Sequence, residues 1–205
     1  MPAQQRVFHG ISISHEPRSD RFVAHHVLTP DQGRLLVMKR QSVKPNAASS
    51  LDLFDEGEFC VDAKTDSPTT FLKEFCLQNR RTSIAQNYSA FQLSTRFAKI
   101  LLKNPVHEEN AEAIFFLTQK ALDSWAKTSN PEAVYLKSLY LYCRDEGYPI
   151  NAEWYAQLPR ENASLVKEVL NTPLDSIKAD AASIKDSIHR LEIYLERSTH
   201  IETPW

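Results

Sequence analysis

Glycine is scarce in this 205-residue chain: Gly10, Gly33, Gly57 and Gly147 are all it holds. They lie too far apart to make a loop whose backbone amides cradle a phosphate, which excludes P-loop nucleotide hydrolysis and glycine-rich dinucleotide binding. Cysteine is scarcer still. Cys60, Cys76 and Cys143 are odd in number, distant and in no Cys-x-x-Cys pair, so neither a disulfide framework nor a four-cysteine zinc site is supported. Cys60 and Cys76 fall in apolar extended runs and Cys143 in a helical one. Three buried free thiols are expected, and no activating neighbour marks a nucleophile. No window approaches the ~20 apolar residues that cross a bilayer, and the opening Met-Pro-Ala-Gln-Gln-Arg lacks the apolar centre of a signal peptide. The expectation is a cytoplasmic protein with no membrane partner.

Catalytic and metal-binding groupings are lacking too. His25 and His26 alternate along an extended run and point to opposite faces, so they cannot share a metal; one satisfied and one exposed imidazole are expected. His9 and His15 stand alone. Glu108, Glu109 and Glu112 have only His107 nearby, and it precedes their helix. The expectation is a protein that is not an enzyme, with no cofactor and no metal.

What is present is an uneven charge. The net charge is −2, yet the first 50 residues carry seven Arg or Lys against three acids, a local +4 that leaves −6 for the rest. That split suits a basic face on one domain and a neutral or acidic body on the other, with an ordinary uneven surface as the alternative.

Up to Arg81 the pattern is extended: Val7 to Ser14, Arg21 to Thr29, Arg34 to Gln41, Leu51 to Lys64 and Thr70 to Gln78. Thr29-Pro-Asp-Gln-Gly-Arg34 joins the second and third as a hairpin, with Pro presetting one dihedral and Gly accepting a positive one. A bend fits near Asp55-Glu56-Gly57. Five bent strands in about eighty residues predict a small closed barrel. From Ser83 the period turns helical. One face is Ile84, Tyr88, Phe91, Leu93, Phe97 and Ile100-Leu101, ended by Asn104-Pro105. Glu108 to Lys127 is a second helix, and Asn130-Pro131 opens a third that ends at Glu146-Gly147-Tyr148-Pro149. Asn151 is placed to cap a short helix through Leu158, with further helices from Ser164 to Asn171 and from Ser176 or Ala181 to Arg197. The expected fold is α+β: an OB-fold barrel over residues 1–81 and an all-helical domain over 82–205.

Basic residues cluster around the hairpin. Arg34, Lys39, Arg40 and Lys44 lie on or beyond its outgoing strand, and Arg18 and Arg21 flank the start of its first strand. A barrel would gather several on one rim, where they would meet phosphates in a sequence-independent, salt-sensitive way. The barrel's aromatics are Phe8, Phe22, Phe54, Phe59, Phe71 and Phe75, and alternation assigns most of them to the core. Base stacking is therefore expected to be weak, and grip on the backbone to dominate.

The order of parts and several strings resemble the RecO family of bacterial recombination mediators. They are Gly10-Ile11, Ser19-Asp20, Leu28-Thr29-Pro30-Asp31-Gln32-Gly33-Arg34-Leu35, Lys39-Arg40, Leu139 through Gly147-Tyr148-Pro149, Leu170-Asn171-Thr172-Pro173-Leu174 and Leu191-Glu192-Ile193-Tyr194-Leu195-Glu196. The zinc-binding Cys-x-x-Cys pairs of many relatives are absent. Ile150 to Pro159 stands there instead, with Trp154 and Tyr155 in position to fill the volume. The resemblance implies a protein that binds single- and double-stranded DNA, anneals complementary strands, and works with RecR to load RecA onto strands coated by single-stranded-DNA-binding protein. It also implies that the helical domain docks that coating protein's acidic carboxy-terminal tail. Docking needs an apolar slot and a cation, which Lys137 or Arg144 beside Leu141 and Tyr140, with Lys120 or Lys127 across from them, would supply. A RecO-shaped interaction scaffold without DNA binding is the alternative. A barrel that binds RNA or oligosaccharide is a third reading.

Overall fold

The structure is a computed structural model that describes residues 4–41, 51–63 and 70–204. Five strands form a closed barrel: β1 (Gln4–Ser19), β2 (Phe22–Thr29), β3 (Gly33–Arg40), β4 (Glu56–Ala63) and β5 (Thr70–Asn79), in the order β1-β2-β3-β5-β4. β3 and β5 run parallel; every other registered pair is antiparallel. This is the expected OB-type architecture.

β1 is longer than its alternation predicts because it serves two neighbours. Gln4 to Ile11 pair with β4 and Ile11 to Ser19 with β2, with register shifts between Ser12 and Ser14 and between Pro17 and Ser19. Such bulges turn one strand around a small barrel. β4 is shorter than expected, beginning at Glu56 rather than Leu51. Phe54 adopts a left-handed backbone (φ 66°), donates its N–H to the Ser12 carbonyl, and breaks the extended run. Two glycines are needed here. A Cβ on Gly57 would lie 2.1 Å from the Cys76 carbonyl oxygen, and Gly33 has φ +66° with the Val106 carbonyl oxygen 2.4 Å from where its Cβ would be.

The barrel interior is Phe8, Val27, Val37, Leu51, Phe59, Val61 and Phe75. Phe8 stacks on Phe59 with ring centres 5.5 Å apart, and Phe59 meets Phe75 at 4.8 Å. At one end, Arg80 forks onto Asp55 (3.0 and 2.7 Å), while buried Arg81 donates to Glu56 and to the Phe54 carbonyl. His9 also reaches Glu56, at 3.1 Å. The thiols differ from expectation: Cys143 is buried, Cys60 partly buried and Cys76 exposed, because Cys76 faces outward on β5.

The described residues through Arg81 together with Val106–Phe115 make one compact unit, and Thr82–Pro105 with the chain from Phe116 onward make a second. After a 3-10 turn at Thr82–Gln86 come α1 (Tyr88–Lys103), α2 (Glu108–Trp125), α3 (Pro131–Asp145), α4 (Ile150–Glu153), α5 (Arg160–Asn171) and α6 (Ala181–Ser198). Side chains cap the helices where the turn chemistry allows. Asn87, Asn130 and Asp180 accept from the first turns of α1, α3 and α6. Phe97 and Trp125 meet in the second unit's core at 6.0 Å, and the Trp125 indole donates to the Pro131 carbonyl.

Several helical expectations are corrected. Tyr88 and Phe91 are exposed, since α1 buries Ala90, Ser94, Phe97, Ala98, Ile100 and Leu101 instead. Asn151 is not a cap. It lies inside α4, which Pro149 precedes, and its side-chain oxygen accepts from the Tyr140 hydroxyl at 3.1 Å. The expected helix through Leu158 is divided into α4 and a 3-10 turn at Tyr155–Gln157. Trp154 is buried against Tyr140 (6.1 Å), and the Tyr155 hydroxyl donates to the Ala163 carbonyl.

Candidate nucleic-acid interface

Strand parity decides which barrel residues can meet a ligand. β2 and β3 pair Phe22 with Arg40, Ala24 with Met38, His26 with Leu36 and Leu28 with Arg34. The intervening pairs, His25 with Val37 and Val27 with Leu35, include the core residues Val27 and Val37, so they face inward. Arg34 and Arg40 therefore face outward. Ser14 pairs with His26 and Glu16 with Ala24, which puts the middle of β1 on the same outer surface. Arg18 is exposed there and contacts Glu16 at 3.3 Å. The His26 pKa is lowered by burial first and then by Arg34 and Arg18, with Glu16 opposing them, so these groups share one electrostatic neighbourhood. Exposed Arg21 sits in the β1–β2 turn, where its carbonyl accepts from Gln41 N–H at 2.8 Å.

Lys39 departs from this set. It pairs with Val23 on the inward parity and is half-buried. Burial lowers its pKa, Asp52 and Asp55 oppose that, and Arg80 adds to it. Lys39 and Arg40 thus turn to opposite sides, as adjacent strand residues must, so Lys39 is not on the face that carries Arg34 and Arg40. Lys44 lies outside the described residues. The histidines take opposite sides, His26 half-buried rather than exposed: His25 is 2% exposed with Nδ1 3.1 Å from Ser12 Oγ, and burial, chiefly, brings its pKa down to about 4. His25 is neutral at pH 7 and belongs to the core.

Most of the barrel's phenylalanines are core, as alternation predicts. Phe8, Phe54, Phe59 and Phe75 are buried, but Phe71 is 37% exposed and Phe22 half-buried, with ring centres 5.8 Å apart and edge to face. Phe22 lies across from Arg40, and Phe71 across from Met38. Parity could have placed both outside, because each immediately precedes or follows inward-facing positions.

A second candidate lies within the helical unit. Lys120, Lys127, Lys137, Leu117, Ala121, Val134, Leu141 and Leu174 help line a groove of about 600 Å³ along α2 and α3, with Asp123 and Asp175 also on its walls. Lys120, Lys137 and Leu141 of the expected tail-binding set are here, with Lys127. Tyr140 and Arg144 are not. Tyr140 is buried toward Trp154, and exposed Arg144 is paired with Asp145 at 2.8 Å. Among the described residues no group of His, Cys, Asp and Glu is arranged to hold a metal, and no helix is long and apolar enough to cross a membrane.

No family model and no curated protein matches this chain.

Proposed function

We propose that the chain is a DNA-binding recombination mediator: the barrel holds the phosphate backbone, and the helical unit captures the acidic tail of a strand-coating protein. The observation that carries the reading is the outward placement of Arg34 and Arg40 on β3 and of Arg18 beside the β1–β2 turn of an OB-type barrel, whose second and third strands and first loop are where such barrels hold oligonucleotides. Guanidinium groups bind phosphate through forked, charge-assisted hydrogen bonds. A grip on phosphates leaves base edges free to pair, which is what annealing of complementary strands requires. Capture of the coating protein would keep the mediator where recombinase, with a RecR-like partner, must be loaded. The α2–α3 groove has the chemistry for a tail, with an apolar floor for a hydrophobic terminus and three lysines for carboxylates. None of these steps makes or breaks a covalent bond.

The test is fluorescence anisotropy with a labelled ~30-nucleotide single strand and its duplex at several salt concentrations. Log affinity is expected to fall with log salt by about 0.7 per phosphate contacted on the single strand and about 0.9 on the duplex. A mimic of the coating protein's tail is titrated in parallel, and Lys120→Glu with Lys137→Glu is expected to abolish its capture.

A scaffold that binds proteins but no DNA is the second reading. It is favoured by the acids beside the basic groups: Glu16 at Arg18, and Asp52 and Asp55 near Lys39. Tail capture without DNA binding at low salt would establish it in place of the first.

A further inference from the structure

We infer that Phe22 and Phe71, with Met38 between their strands and Arg40 beside them, form a base-stacking platform that makes the barrel prefer single-stranded over double-stranded nucleic acid. This rests on the nucleic-acid reading of the barrel and adds what the arginines alone do not supply. Guanidinium groups on phosphates bind both forms. A flat apolar surface beside them gains only from bases whose faces are free, and duplex bases are already stacked on one another.

The patch has the required construction. All four side chains have outward parity: Phe22 on β2, Met38 and Arg40 on β3, and Phe71 on β5. The two rings stand edge to face, 5.8 Å between centres, reaching toward one another over the intervening β3. An edge-to-face pair offers one ring as a floor and the other as a wall, a corner that accepts a flat base. Phe71 remains 37% exposed and Phe22 half-buried, on a barrel whose other described phenylalanines are core. Charge and continuity of the surface identify the occupant. Arg40 is exposed directly across from Phe22, and Arg34 lies six residues earlier on the same face of β3. Polyanion and bases therefore have adjoining seats. An apolar peptide would use the aromatics and leave the arginines idle, and a duplex would do the reverse.

The experiment compares three labelled ligands of equal length on the unaltered protein: a single strand, the same strand with its central bases replaced by abasic sites, and the duplex. The single strand is expected to bind about tenfold or more tighter than the abasic strand, in line with ordinary base–aromatic stacking. Phe22→Leu with Phe71→Leu keeps apolar volume while removing the rings; it is expected to erase that difference and to leave the salt slope and the duplex affinity unchanged. Phe22→Tyr with Phe71→Tyr is expected to retain the preference. Equal binding of the abasic and intact strands by the unaltered protein overturns the platform while leaving the arginine reading in place. Absence of binding by any strand at low salt overturns both.

Discussion

The barrel and the helical unit arrive at basic surfaces by opposite routes. In the barrel β2 and β3 keep part of one side spare: their inward residues complete the core, Ala24 and Leu28 on the outward side are buried as well, and Phe22, His26, Arg34, Met38 and Arg40 are left at least partly accessible. In the helical unit α3 has almost no spare side. Eleven of its fifteen residues are buried, and Lys137, Leu141, Arg144 and Asp145 make the remaining strip at helical spacing. A barrel face can therefore change without touching the core behind it, whereas the groove on α3 is bounded by residues that hold the bundle together. Val134 and Ser138 line that groove and are themselves buried.

The comparison breaks first if either core is less consolidated than its packing indicates. Phe59→Ala in the barrel and Trp125→Ala in the bundle each remove a fully buried aromatic, and each is expected to lower the unfolding free energy by about 3–5 kcal/mol in urea titrations followed by circular dichroism. A loss below about 1 kcal/mol at one site would mean that this core closes over the gap.

A pH series separates the regions next. In the folded barrel the His25 pKa is about 4, against an ordinary 6.5, because burial disfavours its charged form, with Lys39 and His15 adding to the depression. The unfolded chain therefore binds the proton more readily. The contribution is complete above pH 6.5 and drains away as the pH falls toward 4, amounting to roughly 3 kcal/mol from the size of that shift. Unfolding of His25→Asn beside the parent at pH 7 and pH 4 measures it; equal acid sensitivity in both would remove His25 as the cause.

A finer test lies within β3. Arg40→Ala is expected to reduce the salt slope of single-strand binding by about 0.7, one phosphate contact, while Lys39→Ala leaves the slope unchanged. Equal reductions would erase the distinction between the strand's two sides. The smallest effect concerns helix ends. Asp180 accepts from the backbone N–H groups of Ala182 and Ser183, and Asp180→Ala is expected to cost about 1 kcal/mol in thermal unfolding without altering DNA binding.

Much of this organisation is legible in the residues. Alternation places three of the five strands, β2, β3 and β5, to within a residue, and Asn-Pro and the three- and four-residue apolar steps mark the long helices. The start of β4 was not legible, because Leu51 and Leu53 alternate with acids just as a strand would. Hydrogen bonds to Ser12, far away in sequence, hold Phe54 and Asp55 in a turn instead. The opposition of Lys39 and Arg40 was legible from their adjacency, although the charge run suggested one patch. Tyr140 illustrates what pattern cannot supply. On a helix buried around most of its circumference, the apolar period no longer says which neighbour a ring will meet, and here that neighbour is Trp154.

The circle of strands is sewn unevenly. Among the described residues the register of β3 with β5 is two pairs, Val37 with Thr70 and Met38 with Phe71, joined by the Thr70 hydroxyl on the Leu36 carbonyl, beside the eight-residue register of β2 with β3. A hoop gives way at its shortest weld, so thermal opening is expected to start there, with the amides of this seam exchanging their hydrogens ahead of those deep in β2. Phe22 and Phe71 grip one another from strands on either side of the weld, and a molecule lying over both would act as a clasp.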